Sequence, residues 1–308
     1  MPLHRLRGIT VGVPEPQVLN DFYEDLGFVG SELGWGPEGS PDQITVAEAP
    51  YRQLMEIRVA CHDEADLEGI RNRLDGLGVQ HATEGGRLIA PDPVNKWRVI
   101  VEPTPVADVS PSPRETLNIP GDRPRTGARP RIYTEESLRP PRRLGHVVIG
   151  TPDILKSHDF YIQGLGFRIS DIVGGLGFFT RCSSDHHNLL LAPGPVPYLN
   201  HYAIERDDID TVMKAASDYL RRNEGTQVAG PGRHMIGGNV FWYLRDPSGN
   251  FFEQFTDMDC IVDEEAWEIG EWGVEDSWSI WGEKDQPEVF FNPTDMQELI
   301  DGFNRDHG

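Results

Sequence analysis

The sequence has little cysteine, little basic charge and no long apolar run. Its 308 residues include three cysteines, Cys61, Cys182 and Cys260, which are odd in number and far apart. This usage argues against a disulfide framework and favours a reducing compartment, so we expect a cytoplasmic protein. No run of about 18 apolar residues is present, which excludes a membrane-spanning helix. Residues 1–10 also lack the apolar segment of a secretory signal.

Basic residues are scarce relative to acidic ones. There are 28 Lys and Arg against 50 Asp and Glu, for a formal net charge of −22. Such a surface repels phosphate backbones, so we expect no nucleic-acid partner, and without an apolar run we expect no membrane partner. Residues 257–308 hold 16 acidic and two basic residues, together with four of the seven tryptophans. Because disordered acidic tails are poor in aromatics, we predict that this extension folds against the body of the protein.

A second unusual segment contains much of the proline. Residues 103–143 hold nine of the 25 prolines and eight arginines. This composition is typical of an extended linker, and its arginines suit packing against acidic surface. We therefore predict four parts, listed here in order: a first domain over 1–104, a linker over 105–143, a second domain over 144–257 and an aromatic-acidic extension over 258–308.

An internal repeat relates the two predicted domains. Residues 6–28 read LRGITVGVPEPQVLNDFYEDLGF, and residues 144–167 read LGHVVIGTPDILKSHDFYIQGLGF. Each copy predicts a strand, a proline at the first helical position, an amphipathic helix and a glycine suited to the left-handed residue after a helix. Matching order and spacing indicate duplication.

Each domain contains a second unit of the same kind. The predicted elements of these units are strands 55–60, 97–102, 201–205, 240–245 and 251–256, and helices 63–77 and 207–222. The turn signal DPSGN separates the last two strands. We predict an α+β protein of two domains, each built from two modules of the strand–helix–strands type.

Three strands of the second domain each carry one side chain that can bind a metal. His146, His201 and Glu253 lie in apolar strands at related places in the duplicated modules. Two imidazoles and one carboxylate on one face of a metal form the ligand set of non-haem Fe(II) oxygenases. A single histidine in a strand is more often a core residue, but three residues at related places favour a metal site.

These motifs resemble those of a known family. LGH ending at His146, LNH ending at His201 and DPSGNFFE ending at Glu253 are similar to the ligand motifs of the type I extradiol catechol dioxygenases, in the vicinal oxygen chelate superfamily. The resemblance covers residues 6–257 and is densest over 144–256. It implies paired βαβββ modules and Fe(II), with Mn(II) as the alternative, in the second domain. It also implies an aromatic-degrading oxidoreductase that inserts both atoms of O₂ into a catechol.

Three further residues match the family pattern. His187 stands where the family keeps a histidine close to the metal, and neighbouring His186 is a rival for that place. His234 and Tyr243 follow the family spacing toward the carboxylate ligand. The resemblance implies that His234 and Tyr243 complete deprotonation of the catechol. It also implies that His187 stabilises the attacking oxygen and supplies a proton.

The first domain lacks this ligand set. Alignment of the repeats places Gly8, Glu56 and Glu102 opposite the three candidate ligands. One glycine and two glutamates cannot form a site of two histidines and a carboxylate, so we expect this domain to bind no metal.

Other functions stay open on the sequence. A 4-hydroxyphenylpyruvate dioxygenase-like enzyme shares the ligands but cleaves a keto acid, and isomerases or resistance proteins of the superfamily often replace a histidine with Glu or Gln. A metal-free binding protein of the same fold is a third possibility. We expect the residues that line the substrate cavity to include Val148, Ile172, Phe178, Phe179 and Trp242. We also expect a homo-oligomer, with the Trp-rich extension as a candidate interface.

Overall fold

The computed structural model describes residues 1–32, 34–106, 110–112, 116–134, 138–175 and 177–307. Its strands are β1 (Leu3–Val13), β2 (Val29–Ser31), β3 (Gly34–Gly36), β4 (Ile44–Glu48), β5 (Gln53–Cys61), β6 (Ala82–Glu84), β7 (Arg87–Pro91), β8 (Arg98–Pro103), β9 (Arg143–Thr151), β10 (Arg168–Val173), β11 (Gly177–Arg181), β12 (Leu189–Pro193), β13 (Tyr198–Glu205), β14 (Gln227–His234), β15 (Val240–Arg245), β16 (Phe251–Thr256), β17 (Gly270–Trp272) and β18 (Ser279–Trp281). Its α-helices are α1 (Val18–Asp25), α2 (Glu64–Gly76), α3 (Arg131–Thr134), α4 (Ile154–His158), α5 (Ile209–Leu220) and α6 (Met296–His307). A π-helical segment over Asp159–Leu165 continues α4.

The first half of the chain forms a mixed sheet in the strand order β2-β3-β4-β1-β5-β8-β7-β6. β1 and β5 pair antiparallel at the centre, and on their other sides β1 pairs in parallel with β4 and β5 with β8. This arrangement consists of two βαβββ modules side by side, β1-α1-β2-β3-β4 and β5-α2-β6-β7-β8.

The second half repeats the plan in the order β17-β10-β11-β12-β9-β13-β16-β15-β14-β18. β9 and β13 pair antiparallel at the centre, and β9 pairs in parallel with β12 and β13 with β16. The modules are β9-α4-β10-β11-β12 and β13-α5-β14-β15-β16, while β17 and β18 come from the C-terminal extension. The predicted α+β fold, with two βαβββ modules in each half, is confirmed.

Aspartates set the beginning of three helices. Asp63, Asp153 and Asp208 stand directly before α2, α4 and α5, and each carboxylate accepts backbone N–H groups of the first helical turn. Pro14 and Pro152 were predicted at first helical positions, and that prediction is wrong. Pro152 lies one residue before the capping Asp153, and Pro14 lies four residues before α1.

The glycines that follow the helices of the repeat behave as predicted. Gly27 and Gly166 have φ angles of 78° and 93°, in the left-handed region that a residue without a Cβ adopts most readily. The main chain can therefore reverse direction directly after α1 and after the π-helical segment.

The two sheets share a continuous hydrophobic core. Phe22 on α1 packs edge-on against Phe252 on β16, with ring centres 5.1 Å apart. The hydroxyl groups of Tyr23 and Tyr202 are 2.9 Å apart and hydrogen-bonded in the interior. The buried guanidinium of Arg206 donates to the backbone carbonyl of Leu26 at 2.7 Å. These contacts hold the first half of the chain against the back of the second sheet.

The C-terminal extension packs on both halves. β17 pairs in parallel with β10, and β18 pairs antiparallel with β14. Trp278 and Phe290 form a small core with aromatic residues of β15 and β16. α6 packs against Tyr51, and its neighbour Asp295 forms an ion pair with Arg52. Burial of aromatic surface, together with strand pairing, therefore holds this acidic segment in place.

The arginine-rich segment before the second sheet contacts acidic groups. Arg139 forms ion pairs with Asp207 and Asp208, and Arg142 lies 3.5 Å from Asp207. Parts of the predicted linker, residues 107–109, 113–115 and 135–137, lie outside the described residues. Within the described part of the chain, no helix is both long enough and apolar enough to cross a membrane.

Trp278→Ala is expected to lower the free energy of unfolding by about 3 kcal/mol, because truncating a buried aromatic leaves a cavity. Trp278 is 6% exposed. Trp281→Ala is the matched control, since Trp281 lies in the same segment but is 45% exposed. It should cost about 0.5 kcal/mol or less. Urea unfolding followed by circular dichroism measures both, and equal losses would contradict the packing of the extension.

Candidate metal centre and substrate cavity

Three neighbouring strands, β9, β13 and β16, bring the candidate ligands together. Side chains of a strand alternate between the faces of the sheet, and residues paired across strands share a face. Ala203 on β13 pairs with His146 on β9 and, on its other side, with Glu253 on β16. His201 lies two residues before Ala203 and so shares that face. Register therefore directs all three candidate ligands to one point.

The three ligand atoms lie within 4.8 Å of one another. Oε2 of Glu253 is 2.8 Å from Nε2 of His146 and 3.3 Å from Nε2 of His201. All three side chains are buried, and Glu253 is 0% exposed. Within the described ranges, no other group of three His, Cys, Asp or Glu side chains meets these distances.

The electrostatics of the cluster suit a cation. Burial opposes ionisation of Glu253, but the imidazoles of His146 and His201 outweigh burial and hold the pKa of this carboxyl well below its usual range. Burial lowers the pKa of His201, which favours the neutral imidazole that metal binding requires. A carboxylate and two imidazoles form a donor set for Fe(II), and Mn(II) accepts the same ligands.

Hydrogen bonds behind the ligands hold two of them in orientation. Nδ1 of His201 donates to Oδ1 of Asn200 at 2.9 Å, which leaves Nε2 as the atom that can bind a metal. Nδ2 of Asn200 donates to the carbonyl of Phe290 at 2.5 Å, and Nδ2 of Asn239 donates to Oε1 of Glu253 at 3.0 Å. The residues therefore fit a divalent metal both by donor chemistry and by their supporting contacts. The sequence analysis did not identify the two asparagines, because neither belongs to the ligand pattern of two histidines and a carboxylate.

His234 and Tyr243 form a hydrogen-bonded pair beside the cluster. Nδ1 of His234 donates to the carbonyl of Trp278 at 3.0 Å, so its Nε2 accepts the hydroxyl hydrogen of Tyr243, also at 3.0 Å. Burial lowers the pKa of His234 to about 4 and raises the pKa of Tyr243 well above its usual range. The pair is thus a neutral imidazole beside a protonated phenol.

His187 approaches the cluster from the loop between β11 and β12. Its ring centre is 4.4 Å from that of His146, its side chain is buried, and it lines the cavity described below. Burial lowers the pKa of His187 well below its usual range. His186 is also buried, but its Nε2 lies 3.2 Å from Oδ2 of Asp171 and it does not line the cavity. This placement supports His187 over His186 as the residue near the metal.

The cluster opens on a cavity of about 360 Å³. Its walls are mostly apolar, and no Lys, Arg, Asp or Glu occurs among the described residues that line it. The extension supplies part of the wall through Val274, Ser277, Trp278, Gln286, Phe290 and Phe291. The four tryptophans indicated that the extension packs, but sequence reasoning did not find that it packs over this cavity.

Of the residues predicted to line the cavity, Val148 and Phe179 do so. The prediction was wrong for Ile172, Phe178 and Trp242, which belong to or pack against the main core. Alternation along the strands explains the difference, because Phe178 and Phe179 are successive residues of β11 and point to opposite faces. In the same way, Trp242 and Tyr243 are successive residues of β15, and only Tyr243 lines the cavity.

Register also corrects the alignment of the first half. Ala60 on β5 pairs with Glu102 on β8, just as Ala203 pairs with the glutamate ligand on β16. Arg58 lies two residues before Ala60 and therefore takes the strand position equivalent to that of His201. The predicted equivalence with Glu56 was wrong by two residues.

Arginines pair with the acidic groups at this equivalent place. The Arg7 guanidinium donates to Asp42 at 2.9 Å and lies 3.6 Å from Glu102. Arg58 lies 3.7 Å from the same Asp42. A Cβ on Gly8 would stand 2.4 Å from Arg58 Nη2, so a larger residue there would displace the guanidinium. Cations thus occupy the position that corresponds to the metal centre of the second half.

Glu253→Gln is expected to remove tight metal binding, because a neutral amide replaces the anionic ligand. Glu102→Gln is the matched control at the equivalent strand position and should keep the metal. Wild-type protein loaded anaerobically with Fe(II) and desalted should hold one metal ion per chain. Metal analysis that finds two ions per chain, or full metal in Glu253→Gln, would contradict this assignment.

Comparison with known proteins places the chain in a family. The profile of the Glyoxalase/Bleomycin resistance protein/Dioxygenase superfamily matches residues 143–254. Metapyrocatechase 2 from Cupriavidus necator is 33% identical over 256 residues, covering 80% of this chain and 78% of that protein. A manganese-dependent 2,3-dihydroxybiphenyl 1,2-dioxygenase from Geobacillus genomosp. 3 is 31% identical over 142 residues, covering 43% of this chain and 44% of that protein.

A solved structure has the same fold. Homoprotocatechuate 2,3-dioxygenase from Brevibacterium fuscum superimposes with a TM-score of 0.72 at 18% identity, covering 94% of this chain and 91% of that one. The extent of the match to the Cupriavidus protein, the superfamily profile and the three ligand motifs lead to one conclusion. The chain belongs to the type I extradiol catechol dioxygenases of the vicinal oxygen chelate superfamily.

Proposed function

We propose that the protein is an extradiol ring-cleaving dioxygenase that inserts both atoms of O₂ into a catechol. The proposal rests on the convergence of His146, His201 and Glu253 beside a cavity that His187 and Tyr243 line. Fe(II) is the proposed metal and Mn(II) the alternative, because both accept this donor set. When bound, the metal would lower the pKa of the catechol hydroxyls and allow O₂ to react beside the ring.

Tyr243 and His234 are proposed to accept a catechol proton. Since the Tyr243 hydroxyl donates to Nε2 of His234, its oxygen has lone pairs directed toward the cavity. A proton arriving at Tyr243 Oη can be matched by transfer of the phenolic hydrogen to His234 Nε2. The Trp278 carbonyl holds the opposite ring nitrogen and stabilises the imidazolium that forms.

His187 is proposed to act on the oxygen side of the substrate. It lines the cavity next to His146 but lies outside the ligand set, so it can transfer a proton without leaving a metal. Catechol and O₂ together contain all the atoms of the ring-opened muconic semialdehyde. The reaction therefore needs no external reductant, and each proton removed from the diol is available for return to product.

The cavity favours an uncharged catechol with an apolar substituent. Its volume is near the lower end of the range for small-molecule sites, about 300–1,000 Å³. Burying a carboxylate without a cationic partner is costly, and the described lining residues include no Lys or Arg. The same feature argues against a keto acid, the substrate of the 4-hydroxyphenylpyruvate dioxygenase-like alternative.

We also propose that the protein is cytoplasmic and forms a homo-oligomer. We propose that the chain divides into a first domain over 1–104, a linker over 105–143, a second domain over 144–257 and an extension over 258–308. Cys61 and Cys182 are buried free thiols, which suits a reducing compartment. Ile280, Trp281 and Phe291 in the extension are exposed apolar residues that could form the interface between copies.

Fe(II)-loaded protein is expected to consume one O₂ for each catechol and to form a yellow ring-opened product. Catechol and 3-methylcatechol should be cleaved with a kcat/KM at least about 10-fold above that for 3,4-dihydroxybenzoate, because the latter buries an unpaired carboxylate. An oxygen electrode and absorbance spectra measure both quantities, with anaerobic mixtures and Glu253→Gln as controls. Oxygen-independent product, or no uptake with any catechol, would refute the proposed function.

His187→Asn is expected to keep metal and anaerobic catechol binding while slowing oxygen consumption by about 10²–10⁴-fold, the usual contribution of a general acid–base group. The physical reason is that His187 contacts the ligand sphere without belonging to it. Metal content, anaerobic catechol titration and turnover rate are measured on the same preparation. An unchanged rate would show that His187 takes no part in the reaction.

A further inference from the structure

We propose that Asp171 and His186 form a relay that fixes His187, so that His187 presents an unprotonated Nε2 to the substrate. Asp171 and His186 are positioning residues, since neither lines the cavity. The catalytic consequence rests on the proposed function, whereas the proton positions in the relay follow from its own hydrogen bonds.

The relay consists of three buried side chains in a row. Oδ2 of Asp171 lies 3.2 Å from Nε2 of His186, and Nδ1 of His186 lies 3.1 Å from Nδ1 of His187. The exposed fractions are 4%, 0% and 3% in the same order. Because buried polar atoms need partners, this geometry makes each member depend on the next.

The Asp171 carboxylate sets the direction of each hydrogen bond in the relay. An ionised carboxylate only accepts, so Nε2 of His186 carries the hydrogen, and in the neutral imidazole its Nδ1 is then the acceptor. His187 then donates from Nδ1, and a neutral imidazole with hydrogen on Nδ1 has a bare Nε2. Since His187 lines the cavity, Nε2 is the atom available to accept a proton there.

The extension fixes the carboxylate end of the relay. The backbone N–H of Gly270 donates to Oδ1 of Asp171 at 2.7 Å, which leaves Oδ2 for His186. The Trp267 ring packs edge-on against His186, with ring centres 5.4 Å apart. The backbone N–H of His186 donates to the carbonyl of Asp259 at 2.8 Å. The first part of the extension, residues 259–270, therefore holds the relay in a single arrangement.

A glycine closes the other side of the relay. Gly237 has a φ of 81°, and a Cβ there would lie 3.2 Å from Nδ1 of both His186 and His187. This close approach of main chain to both rings restricts their rotation. The same relay also stabilises the imidazolium of His187 after it accepts a proton, because His186 and Asp171 accept toward that charge.

Asp171→Asn tests which nitrogen atoms of His186 and His187 carry hydrogen. The Gly270 N–H still requires an oxygen, so the asparagine amide would turn its N–H toward His186. His186 would then carry hydrogen on Nδ1, and His187 would be forced to carry hydrogen on Nε2. We expect kcat to fall by about 10²-fold or more, within the range of general acid–base effects, while metal content and anaerobic catechol affinity stay unchanged.

A pair of His186 variants separates the relay from simple packing. In His186→Gln the side-chain oxygen can accept from His187 and the amide can donate to Asp171, so kcat should stay within about 10-fold of wild type. His186→Met fills the same space without either hydrogen bond, and kcat should fall as in Asp171→Asn. If the methionine variant is as active as the glutamine variant, the relay is refuted. This pair decides the question even if Asp171→Asn does not fold.

Nitrogen NMR of full-length, metal-free protein labelled with ¹⁵N-histidine gives a readout independent of turnover. His187 should be protonated at Nδ1 in wild type and at Nε2 in Asp171→Asn. His187 protonated at Nε2 in wild type would overturn the relay. Absence of oxygen uptake by wild-type enzyme would instead overturn the proposed function, and the NMR result would still decide the relay.

Discussion

The register of β9, β13 and β16 is the constraint on which the rest of the site depends. Ala203 pairs with His146 on one side and with Glu253 on the other, so one row of the sheet holds two ligands and the next inward residue of β13 supplies the third. A slip of one residue would turn His201 to the opposite face. In the first half β5 and β8 keep the matching register, with Ala60 opposite Glu102, but Arg58 takes the place of His201. The identity of the residue therefore decides whether this position holds a metal ligand or part of an ion-pair cluster.

The C-terminal extension is a structural part of the site. The carbonyl of Trp278 fixes His234, the carbonyl of Phe290 fixes Asn200 behind a metal ligand, and the N–H of Gly270 fixes Asp171. The segment therefore supplies backbone partners to three separate side-chain networks around one cavity. The described side chains that it contributes to the cavity wall include aromatic ones and no acidic one. An acidic segment can therefore cover a site at which the catechol is deprotonated.

The sequence predicted the duplicated modules because they depend on local spacing, and its motifs named the three candidate ligands that the strand register brings together. It could not predict the place of Arg58, since the register of β5 against β8 pairs residues about 40 positions apart and leaves no local pattern. Phe178 was assigned to the cavity together with Phe179, because two adjacent phenylalanines do not show which face of the strand each one takes. The relay through Asp171 was missed because its partners lie 15 and 99 residues away in the chain.

This buried centre is proposed to direct both atoms of one O₂ molecule into a catechol ring. The most direct measurement is mass spectrometry of the ring-opened product after a single turnover of Fe(II)-loaded enzyme with catechol under ¹⁸O₂. Label in both new oxygen positions of the product is the predicted result. Product with label in neither position would refute this dioxygenase activity, as would oxidation of catechol without cleavage of its ring.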